Sequence, residues 1–125
     1  MHVLLIEPDR LEAHTYVAVL ERAGCTVVHT ALAQSAVHLA DERTPDVVVM
    51  ELQLPGHNGV EFLYEFRSYP EWQSVPILLH TFVPPRELAQ AATLQTELGV
   101  RRMLYKPATT LADLCSAVQT VASAS

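Results

Sequence analysis

Five side chains of complementary chemistry are spread widely along this chain: Glu7, Asp9, Glu51, Thr81 and Lys106. Carboxylates offer acceptor oxygens and negative charge, while a hydroxyl and an ammonium donate to anionic groups. Lys106 is the only lysine among eight basic residues, and Pro107 follows it. Read functionally, it is a compact cation reaching an anionic group across a cleft; read blandly, it is a surface lysine before a loop proline. Glu51 carries the same ambiguity. It closes the apolar run Asp46-Val47-Val48-Val49-Met50 and is followed by Leu54-Pro55-Gly56-His57-Asn58-Gly59.

The elements that must position these residues are legible from periodicity. His2–Ile6, 26–30, 46–51, 75–80 and 100–105 are short apolar or β-branched runs, as expected of strands buried on both faces. Between them lie stretches with helical spacing. Asp9 is placed to cap the first helix, with Glu12 three residues on as in a capping box, and Gly24 to stop it. Helices follow over 33–43, from Val60 to Tyr69, and over 86–98, where Pro84-Pro85 stand at the mouth and Gly99 at the end. Leu111, Leu114, Cys115, Val118 and Val121 mark a closing amphipathic helix. Strands alternating with helices predict right-handed crossovers around a parallel sheet. The expected fold is a single flavodoxin-like doubly wound domain over 1–121, strand order 2-1-3-4-5, with 122–125 a tail or the start of a linker. In that topology the carboxyl ends of strands one, three, four and five converge on the switch point. Glu7, Asp9, Glu51, Thr81 and Lys106 all fall there.

Bulk properties narrow the function. A formal charge of −6 and no basic block disfavour nucleic acid or an anionic membrane as partner. No run is long enough to span a bilayer. Cys25 and Cys115 follow no metal or redox spacing and read as buried thiols of a cytoplasmic protein. His2, His14, His29, His38, His57 and His80 show no ligand spacing with an acid and read as surface or strand histidines. His80 precedes Thr81, and strand alternation points it to the other face.

These segments together resemble the receiver domains of response regulators in two-component signalling. The resemblance rests on Val3-Leu4-Leu5-Ile6-Glu7, Pro45 to Met50, Leu54-Pro55-Gly56-His57-Asn58-Gly59-Val60-Glu61, Pro76 to Thr81 and Tyr105-Lys106-Pro107, in order over the whole chain. It implies an aspartate ending the third strand that accepts phosphoryl from a histidine kinase, with Mg²⁺ held by an acidic pair after strand one. It also implies that Thr81 and Lys106 bind the phosphoryl oxygens. The chain departs from the pattern at Glu51, which occupies the acceptor position, and at Pro8, which replaces the second acid. A longer side chain misplaces the carboxylate by on the order of 1 Å, which can cost about 100-fold in a transfer reaction. Glu7, Glu51 and the Gln53 backbone carbonyl, and less readily Asp9, are the remaining metal ligands; any Mg²⁺ site is expected to be weak, and none to be required. Phe82 stands where a small residue is usual and would narrow access.

The expectation is an atypical receiver, not an enzyme, that signals through protein contacts without phosphorylation. Glu51 would imitate the phosphorylated state beside Lys106 and Thr81, or else simply pair with Lys106 for stability. A working acceptor at the altered site, or a small flavodoxin-like nucleotide or flavin binder, are the alternatives. The second lacks a glycine-rich cradle at Glu7-Pro8-Asp9-Arg10. Expected partners are a histidine kinase or an effector, with homodimerisation open. Met103 and Tyr105, on one face of the fifth strand, are the candidate switch and interface residues, beside Arg86, Arg101 and Arg102.

Overall fold

The computed structural model describes residues 1–88 and 91–123. Its main sheet has five parallel strands: β1 His2–Ile6, β2 Thr26–Thr30, β3 Val47–Met50, β4 Ile77–Thr81 and β5 Val100–Tyr105. Their spatial order is β2-β1-β3-β4-β5, the doubly wound 2-1-3-4-5 arrangement expected from the alternation. The helices are α1 Arg10–Arg22, α2 Ala33–Glu42, α3 Gly59–Ser68, α4 Ala91–Thr96 and α5 Leu111–Ser123.

Alternation along the strands makes two cores. Leu4, Ile6, Val48, Met50, Ile77 and Leu79 face the cluster that includes Ala36, Ala40, Phe62, Phe66 and Leu94 of α2, α3 and α4. Val3, Leu5, Val47, Val49 and Leu78 face Tyr16 and Leu20 of α1 and Leu114, Val118 and Val121 of α5. Every residue of β1, β3 and β4 is buried, as a strand covered by helices on both sides must be.

Boundaries moved where local chemistry outweighed periodicity. The third and fourth strands are Val47–Met50 and Ile77–Thr81 rather than 46–51 and 75–80. The continuous helix expected over 86–98 is corrected: Pro85–Glu87 is a 3₁₀ turn, and the α-helix is Ala91–Thr96. The break falls at Leu88, whose φ −81° and ψ 74° lie outside the α region, so the 3₁₀ turn does not run on as α-helix. Residues 89 and 90 of that expected helix lie outside the described residues.

Two irregularities matter for the site. Gln53–Leu54 and His57–Asn58 pair as a short hairpin where a plain loop was expected. Pro55 and Gly56 form its turn, Gly56 taking φ 70°, as a type II turn requires at its third position. Gly59 then packs so closely that an added Cβ would lie 2.7 Å from the Leu52 carbonyl oxygen. In β5, Ile77 pairs with Val100 but Leu78 pairs with Arg102, a register shift that leaves Arg101 and Arg102 both exposed.

Candidate functional site

Four strand ends bring their polar residues together beyond the sheet. Glu7 follows β1 and is held by its own amide, which donates to the Thr30 carbonyl at 3.0 Å. Glu51 follows β3, its amide donating to Ile6 at 3.0 Å. Thr81 ends β4. Lys106 leaves β5 in a 3₁₀ turn with Pro107, after which Thr110 and Asp113 cap each other to open α5. Glu7, Glu51, Thr81 and Lys106 are all buried, at 2, 3, 1 and 8% exposure. Charged groups are rarely buried so deeply unless paired.

The pairing is extensive. Lys106 Nζ lies 2.7 Å from Glu7 Oε1, 3.2 Å from Glu51 Oε1 and 3.3 Å from Glu12 Oε1. Thr81 donates its hydroxyl to Glu51 Oε2 and accepts the Val83 amide at 3.0 Å. The Gln53 amide donates to Glu51 Oε2 at 3.2 Å, and the Phe82 amide donates to Glu51 Oε1 at 3.1 Å. Both oxygens of Glu51 therefore hold two donors each. Of Glu7, Oε1 holds Lys106 and Oε2 accepts the Asp9 amide at 3.1 Å. The Phe82 ring, half exposed, lies with its centroid 4.7 Å from Nζ, a cation–π contact that covers the ammonium.

Burial pushes the Glu51 carboxyl up. Hydrogen bonds from Thr81 and the Gln53 amide, then the charge of Lys106 and the Phe82 amide, outweigh it and hold the group below its ordinary value of 4.5. Burial also raises Glu7, and there it prevails over the hydrogen bond from Lys106. The Lys106 ammonium is raised despite burial, because Glu7 and Glu51 stabilise its charge. Glu51 is thus the more firmly ionised of the two acids.

Four of the five residues singled out from the sequence meet here, and Asp9 does not. Its side chain accepts the Glu12 amide at 2.9 Å as the N-cap of α1. The reciprocal half of the capping box is corrected. The Glu12 carboxylate turns inward instead, accepting the Tyr16 hydroxyl at 2.7 Å and meeting Lys106. Glu12 is thus a third acid of the site that capping logic concealed; its position one helical turn before Tyr16 was the available signal. His80 points to the opposite face from Thr81, as alternation required, and meets Tyr16 edge-on with centroids 4.8 Å apart. Cys115 is only half-buried, its thiol 3.7 Å from the Val19 carbonyl, whereas Cys25 is buried as expected. Met103 packs against the α2–α3–α4 side, and Tyr105 is half-buried at the end of β5.

The residues present do not fit a Mg²⁺ ion, which needs near-octahedral oxygen ligands. Pro8 supplies no side-chain oxygen, and the oxygens of Glu7 and Glu51 already accept protein donors. Among the described residues no three His, Cys, Asp or Glu side chains form a metal-holding group.

A doubly wound sheet with an acid, a hydroxyl and an ammonium converging at its switch point has the architecture of a two-component signalling module. The chain belongs to the response regulator receiver domain family, whose model matches residues 3–119. It is 28% identical over 79 residues to protein PilH of Pseudomonas aeruginosa, a stretch covering 63% of this chain and 65% of that protein. It is 27% identical over 79 residues to the polar-differentiation response regulator DivK of Brucella abortus, covering 63% and 64%. The chain thus spans slightly under two thirds of these relatives. Among solved structures, a LuxR-family two-component response regulator from Aurantimonas superposes with a TM-score of 0.82 at 28% identity, covering 98% of this chain and 85% of that one. Among the described residues no helix is long and apolar enough to cross a membrane.

Proposed function

We propose that this receiver works without phosphorylation, as a protein-contact module whose site is permanently occupied by its own Glu51 carboxylate. The observation that carries this reading is the saturation of Glu51. Its two oxygens hold Thr81, Lys106 and the amides of Gln53 and Phe82. A carboxylate acting as nucleophile needs a free oxygen aligned with the leaving group. Here each oxygen would first have to shed donors in a buried setting, and Phe82 roofs the ammonium that would bind the phosphoryl oxygens. The same donors that would bind phosphoryl oxygens instead grip the longer glutamate side chain.

On this reading the domain needs no metal, performs no chemistry of its own and acts in the cytoplasm. Its partners are proteins, a histidine kinase or an effector, or a second copy of the chain. Met103 and Tyr105 report the state of the site along β5. Amide NMR spectra test this. Adding acetyl phosphate with Mg²⁺ should leave the wild-type spectrum unchanged, whereas Glu51→Gln should move the signals of Thr81, Phe82 and Lys106. A wild-type spectrum that changes with acetyl phosphate, beside a silent Glu51→Gln substitution, would contradict the proposal.

A further inference from the structure

A second cleft lies on the far side of α1 from α5 and plays no part in the site above. It is open, about 430 Å³ in volume, and lies between α1 and the end of β2. Arg10, Ala13, His14 and Val17 supply one wall; His29, Thr30 and Ala31 supply the other. The α1 residues fall at i, i+3, i+4 and i+7, a single stripe of the helix. None of the seven lining residues is acidic, although the chain carries a formal charge of −6. Among the described residues Arg10, His14 and His29 enter no ion pair.

Their chemistry differs from a solvated basic face. The His29 ring is oriented: Nε2 lies 2.8 Å from the Glu7 carbonyl, which can only accept, so Nε2 carries the proton in that bond. Thr30 is fixed by hydrogen bonds to Leu32. Ala13, Val17 and Ala31 give the cleft an apolar part, and the volume is that of a small-molecule site. The Arg10 guanidinium and the exposed His14 imidazole, one turn apart on the same stripe, line the cleft with donors, and guanidinium matches phosphate oxygens in geometry.

From this cleft we infer a binding site for a phosphate monoester with an apolar body. The phosphate is taken by Arg10 and His14, the oriented His29 ring forms the facing wall, and the body rests on Ala13, Val17 and Ala31. The site is separate from Glu51 and does not depend on how Glu51 is read.

The probe is phenyl phosphate, titrated into the full chain and followed by amide NMR, with inorganic phosphate, benzoate and phenol in parallel. Saturable shifts should centre on residues 10–17 and 29–31. Phenyl phosphate should bind more tightly than inorganic phosphate or benzoate, and phenol should not bind. Loss of a hydrogen bond to a charged group is expected to weaken binding about tenfold or more, so Arg10→Ala and His14→Ala should each do so. Both side chains are exposed, and an unchanged spectrum elsewhere verifies that the variants fold. No saturable shift with phenyl phosphate would overturn the inference. Equal binding of benzoate, undiminished affinity in Arg10→Ala, or shifts centred on Thr81 and Lys106 would do so as well.

Discussion

Two cations are drawn inward in this molecule, and they are satisfied in opposite ways. Lys106 meets three carboxylates, Glu7, Glu12 and Glu51, at the carboxyl edge of the sheet. Arg67 of α3 meets backbone carbonyls instead. Its guanidinium donates to Trp72 at 2.6 Å, Leu98 at 2.8 Å and Gly99 at 3.3 Å, tying α3 to the turn that enters β5. That turn admits the guanidinium because Gly99 has φ 67° and no side chain; a Cβ there would lie 2.5 Å from Arg67 Nη2. Burial, then the charge of Arg101, lowers the Arg67 pKa, whereas acids raise that of Lys106. Carbonyls need hydrogen bonds but carry no net charge, so Arg67 fastens the frame. Carboxylates carry charge, so Lys106 balances the acids gathered at the carboxyl edge of the sheet.

Removing each cation should separate the two roles most strongly. Lys106→Met should cost about 3–5 kcal/mol, because it leaves buried carboxylates uncompensated. Adding Glu51→Gln should recover part of that loss in denaturant unfolding. Arg67→Met should cost about 3 kcal/mol through orphaned carbonyls, and neutralising any single acid should recover none of it. Equal recovery in both backgrounds would erase the distinction.

His80 gives a smaller effect that depends on pH. Burial, then the charge of Lys106, pushes its pKa from 6.5 down to about 4, and among the described residues its Nδ1 has no hydrogen-bond partner. The folded state therefore keeps the ring neutral while the unfolded chain takes up a proton below about pH 6.5. Stability should fall as pH drops from about 6.5 to about 4, by at most about 3 kcal/mol. His80→Leu should flatten that slope relative to wild type in urea melts across this range. Glu12→Gln comes last. Its carboxylate is only partly buried, so the cost should be under about 1 kcal/mol. The Tyr16 and Lys106 signals should still shift in NMR spectra; unmoved signals would remove Glu12 from the site.

The fold was legible almost entirely, because buried parallel strands are apolar runs and each is followed by a helical stripe. β1, β2 and β5 were readable to the residue. The Gln53–Asn58 hairpin was hidden by its brevity, although Pro55-Gly56 is a turn signal, and the 86–98 segment read as one helix because apolar spacing carries no information on the backbone break at Leu88. At the site, Glu7, Glu51, Thr81 and Lys106 were readable because strand order alone brings strand ends together. Glu12 and Arg67 were not. Each acts through a side-chain direction that depends on packing, and each has an ordinary helical explanation on paper.

On the proposed reading the Glu51 carboxylate is a fixed occupant of the site and not an acceptor. Intact mass after incubation with acetyl phosphate and Mg²⁺ tests it most directly. The wild-type chain should keep its mass; stoichiometric phosphoryl addition that disappears in Glu51→Gln would contradict a fixed occupant.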